Sequence, residues 1–121
     1  MISNDAIEAF NTRLTVNVNT IKSMKPSELD KVKSVGSQAE ALLKNRELAV
    51  FVHQFKFEVL DAITAITGYT EEDNNRRVAL SNQLSGIDGF IASLQRAVHY
   101  KNRAVTLQNE PAYTKKGNEV L

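Results

Sequence analysis

A chain of 121 residues, 42% apolar and 24% charged, can build one core but not two. Its formal net charge of +1 provides no overall field to steer polyanions, and without cysteine there are no disulfides and no thiolate chemistry. No apolar run approaches the roughly 18 residues of a spanning helix, and the opening Met-Ile-Ser-Asn-Asp lacks the basic and apolar regions of a secretory signal, so a cytoplasmic origin is the default expectation.

Ser3, Asn4 and Asp5 can each cap a helix, and Ile7, Phe10, Leu14, Val18 and Ile21 follow at steps of three or four. This spacing predicts one amphipathic helix over about 4–24. Its weak point is Leu14 to Ile21, where β-branched and asparagine residues alternate and lower helix propensity. A strand there would need a partner strand, and none is offered elsewhere. Pro26 closes this element, and Ser27 with Asp30 resembles a capping box that opens the next.

The second predicted helix runs unbroken over about 27–67. Val32, Val35, Ala39 and Leu42 supply its early stripe, with Gly36 as the one residue that weakens it. Leu48, Val52, Phe55, Val59, Ala62 and Ile66 then continue the stripe at alternating steps of four and three. Thr67-Gly68-Tyr69-Thr70 reads as a helix stop followed by a helix start.

The third predicted helix, about 71–108, repeats that rhythm with Leu80, Leu84, Ile87, Ile91, Leu94 and Val98. Folding the chain at Tyr69 faces Val59 with Leu80, Phe55 with Leu84, Val52 with Ile87, Leu48 with Ile91, Val35 with Val105 and Val32 with Leu107. Apolar meets apolar at each pair, as a hairpin requires. Residues 109–121 have no periodicity and read as an extended tail. The expectation is therefore a single all-α domain. It is a long antiparallel two-helix hairpin, coiled-coil-like, with a shorter N-terminal helix packed at its open end.

No catalytic, metal or cofactor motif stands out. His53 and His99, the only histidines, fall far out of register in the hairpin, and Gly86-Ile87-Asp88-Gly89 lacks the lysine and the preceding strand of a phosphate loop. Function must be argued from surfaces. Val50, Phe57 and Leu60 lie on the side of the second helix opposite its main stripe, and a 22-residue N-terminal helix is too short to cover them, which points to self-association. The small residues Ser81, Ser85 and Gly89 share one face of the third helix and could admit another backbone as the receiving groove. At the open end Lys31, Lys33, Arg96, Lys101 and Arg103, with Tyr100 beside them, form a basic patch that could contact phosphates.

Short, cysteine-free, all-helical chains with a long hairpin occur among bacteriophage accessory and virion proteins, secretion-system chaperones and nucleotide-sequestering proteins. No stretch here carries a motif of any of them. The expected role is a non-enzymatic structural or adaptor protein, cytoplasmic or within a virion, acting as a homo-oligomer or in a larger assembly with a protein partner. The alternative is a nucleic-acid or nucleotide binder that uses the basic open end.

Overall fold

The structure is a computed structural model and describes residues 3–13 and 21–109. Four α-helices follow in order: α1 (Asn4–Thr12), α2 (Pro26–Leu43), α3 (Arg46–Ala65) and α4 (Glu71–Asn109), with a 3₁₀ turn at Ile21–Ser23 before α2. The described residues contain no strand. The all-α hairpin expected from the sequence is present. One arm is α4 and the other is α2 followed by α3, both packed on α4.

Helix ends follow their capping chemistry. The Ser3 hydroxyl accepts the Ala6 N–H at 3.2 Å and starts α1. Lys25, not Ser27, precedes α2: Pro26 occupies the first turn and the Glu28 carboxylate accepts the Lys25 N–H at 3.3 Å. At the start of α4 the expected cap forms reciprocally. The Thr70 hydroxyl accepts the Asp73 N–H at 3.1 Å, and the Asp73 carboxylate accepts the Thr70 N–H at 3.2 Å. Arg77 then closes the turn by donating to the carbonyls of Ile66 at 3.1 Å and Gly68 at 2.5 Å, which fills acceptors left over at the end of α3. No glycine among the described residues has positive φ, so Gly68 does not act as a left-handed stop. Its role is spatial, because a Cβ there would overlap the Asp73 carboxylate.

Two expected helices are shorter or divided. The N-terminal one ends at Thr12, where Arg13 turns extended (φ −57, ψ 140). Leu14 to Thr20 lie outside the described residues, as does the expected tail beyond Asn109. Ile7 and Phe10 on α1 are exposed, and the described residue of this stretch that joins the core at the open end is Ile21, in the 3₁₀ turn. The second helix is interrupted at Lys44 and Asn45. Asn45 is extended (φ −75, ψ 117) and its side chain accepts the Leu48 N–H at 2.8 Å, which caps α3 and ends the run from α2 without an intervening loop.

This interruption moves the seam. The half-buried row on the first half of α4 is Leu80, Leu84, Ile87 and Ile91, opposite α3. Toward the open end the contact shifts to Ala97, Lys101, Ala104 and Leu107, against α2. On a wheel of about 100° per residue the second group sits about 120° round from the first. A left-handed supercoil accounts for only about 50° over that length. The step explains why Val35 and Val105, paired by one continuous seam, are both exposed. Val32 and Leu107 are buried as expected, in one cluster with Ile21, Leu29 and Ala104, and Met24 and Tyr100 pack against it.

At Gly36 α2 comes close to the backbone of α4. A Cβ there would overlap the Lys101 Cβ and lie 2.8 Å from the Ala97 carbonyl oxygen, whereas nothing lies within 4 Å of one at Gly86. The two sites should respond oppositely to alanine. Gly86→Ala should stabilise by up to about 1 kcal/mol through helix propensity. Gly36→Ala should instead destabilise by about 1–2 kcal/mol, because overpacking outweighs that gain. Denaturant midpoints of the two variants check the difference in sign.

Candidate interaction surface

Every one of the five phenylalanines lies outside the core: Phe10, Phe51, Phe55, Phe57 and Phe90 are all exposed. Among the described residues the buried side chains are aliphatic, and α2 meets the α4 backbone at Gly36 and Ala97. Four of these phenylalanines belong to the α3–α4 half of the hairpin, where among the described residues one helix-to-helix seam is the cover. Along α3 that seam takes Leu48, Val52, Lys56, Val59, Ile63 and Ile66, all buried or half-buried. Phe55 sits at its rim instead of its centre, which departs from the expected facing of Phe55 and Leu84.

The side of α3 turned away from α4 carries the expected apolar residues. Val50 is 51% exposed, Phe57 64% and Leu60 46%. With about 100° per residue they lie some 90–160° from the seam, and Phe51 is on the opposite flank. Arg46 and Asp61 stand at the two ends of the same outer face, and neither has an ion-pair partner among the described residues. Ser81, Ser85 and Gly89 are exposed on the outer side of α4, and a Cβ at Gly89 would meet nothing within 4 Å. The two expected contact faces therefore point away from each other on one molecule.

A half-open cleft of about 400 Å³ lies where α2 gives way to α3, with Leu43, Leu48, Val52 and Ile91 on its walls. It marks the place where the seam steps round α4. Its rim carries His53 and the Lys56–Asp88 ion pair, 2.7 Å long. The sequence pattern did not disclose it, because the interruption at Asn45 creates it.

The basic residues of the open end are dispersed and partly engaged. Lys33 Nζ is 3.3 Å from Asp30, Lys101 Nζ is 2.7 Å from Glu40, and Tyr100 packs against the core. Lys31 and Arg96 are exposed, while Arg103 is half-buried and has an interaction within the chain. Neutralising Lys101 would thus perturb the α2–α4 contact as well as the surface.

Glu40 is the focus of this region. Lys101 donates to one of its oxygens at 2.7 Å and Lys44 to the other at 2.9 Å. The Lys101 hydrogen bond first, then that of Lys44, lowers its pKa from 4.5 to about 2. A carboxyl depressed in the folded state stabilises the fold fully above its unfolded value. That contribution is lost as pH falls from about 4.5 through about 2. Stability of the wild type should decline across this window and that of Glu40→Gln should decline less. Denaturant titrations at several pH values check this. The difference between the two proteins should shrink in high salt, since the pair is partly exposed.

Comparison with protein-family models, with curated proteins and with solved structures returns no match, so the functional reading rests on the surfaces of this chain.

Proposed function

We propose that this protein is a non-enzymatic structural or adaptor protein that works as a homo-oligomer or as a component of a larger assembly. The observation that carries this reading is the outer face of α3, where Val50, Phe57 and Leu60 are exposed and no other described helix covers them. Scattered apolar residues are ordinary on a protein surface. Three large apolar side chains on one face, one of them aromatic, have the anatomy of an interface, because buried aromatic anchors carry much of the energy in protein contacts. Its charges are mixed, Arg46 against Glu47 and Asp61, which suits a protein partner better than an anionic membrane surface. The phosphate-binding alternative has less support, because Lys33 and Lys101 already hold carboxylates of their own chain.

Light scattering after size exclusion tests the proposal. The wild type should show a mass that rises with concentration, and Phe57→Glu should give a monomer with unchanged helix content. Phe57 is exposed, so glutamate there costs the fold little and places a charge in the contact. A wild type that stays monomeric at high concentration overturns the reading.

A further inference from the structure

The outer face of α3 has a direction. From its first turn to its last it presents Arg46, Val50, His53, Phe57, Leu60 and Asp61 within an arc of about 100°. A positive end, an apolar middle and a negative end follow one another. All six residues are exposed, and both terminal charges lack an ion-pair partner among the described residues.

A face of this kind complements itself when turned end for end. We propose that the partner of α3 is α3 of a second copy, laid antiparallel across it about a two-fold axis near His53 and Gln54. The inference rests on the assembly reading above and specifies its geometry. One register satisfies the aromatic and both terminal charges together: Phe57 lies against Val50 of the second copy, Val50 against its Phe57, Arg46 against its Asp61 and Asp61 against its Arg46. Each of these pairs sums to 107 in residue number, a coincidence that the parallel arrangement does not share. Parallel packing would place Arg46 beside Arg46 and Asp61 beside Asp61, with both helix dipoles aligned.

The alternative in which α3 docks on the Ser81, Ser85 and Gly89 face of α4 joins two different surfaces. Such a contact closes only as a ring and otherwise grows into an open filament. It also leaves Asp61 without a defined basic partner. The two-fold arrangement closes on itself at two copies, and the polar ends flank an apolar centre as an interface rim flanks its core.

Single cysteines introduced into this cysteine-free chain test the geometry with a short bismaleimide cross-linker. His53→Cys should cross-link to itself, because the two copies meet at the axis, with helix axes about 8–10 Å apart. Arg46→Cys alone and Asp61→Cys alone should not, since each pair of identical positions is separated by about 22 Å along the helix. An equal mixture of Arg46→Cys and Asp61→Cys should cross-link. Adding Phe57→Glu should abolish the His53→Cys product. Efficient self-cross-linking of Arg46→Cys overturns the antiparallel arrangement, and so does cross-linking of His53→Cys to Ser85→Cys in an equal mixture when His53→Cys does not cross-link to itself; both leave the assembly reading standing. A wild type that is monomeric by light scattering overturns both.

Discussion

A single helix of 39 residues, about 58 Å long, cannot persist in water without another surface along most of its length, and α4 is that helix. Ile21, α2 and α3 are what cover it among the described residues. The cover is uneven. At the open end Ile21 joins Leu29 and Val32 of α2 against Ala104 and Leu107, so three segments enclose a small aliphatic core. Toward the turn α3 is the one described element that lies on α4, and two helices share one seam. A helix with apolar residues on more than one side is therefore left with exposed surface there, and α3 is such a helix.

The change between these two regimes occurs within a few residues. Gly36 lets α2 approach the α4 backbone near Ala97, and Glu40, one turn later, holds Lys101 from the side. Asn45 then restarts the helix on a different side of α4. Tight packing on one side of this point and a cleft with exposed aromatics on the other follow from the same interruption. The polar tip needs no core of its own, because Arg77 fills the free carbonyls at the end of α3 and the Thr70–Asp73 box holds the start of α4. The hairpin is thus stabilised at both ends, and the surface it leaves unburied is concentrated on α3.

Much of this was legible in the sequence because it depends on local chemistry. The alternating stripes of the two arms and the Thr70 cap set where the chain folds back, and a wheel placed Val50, Phe57 and Leu60 off the seam. Asn45 also carried a readable signal, an N-cap residue followed by Glu47 in the first turn, which the continuous stripe through Leu42 and Leu48 concealed. Gly36 could not be read correctly from propensity alone, since its place was decided by the α4 backbone. The partners of Lys101 and Lys33 were equally hidden: Glu40 lies 61 positions from Lys101 in the chain, and no periodicity links them. The N-terminal stripe from Ile7 to Ile21 promised a packing helix; of its described residues Ile21 enters the core, while Ile7 and Phe10 are exposed.

Concentration-dependent hydroxyl-radical footprinting tests most directly the claim that the outer face of α3 is an interface while the α2–α4 core belongs to one chain. Phe51 and Phe57 lie on the same helix with nearly equal exposure, 67% and 64%, but on different sides of it. The account predicts that labelling of Phe57 falls as protein concentration rises while that of Phe51 changes little. Equal labelling of the two rings at every concentration would contradict it.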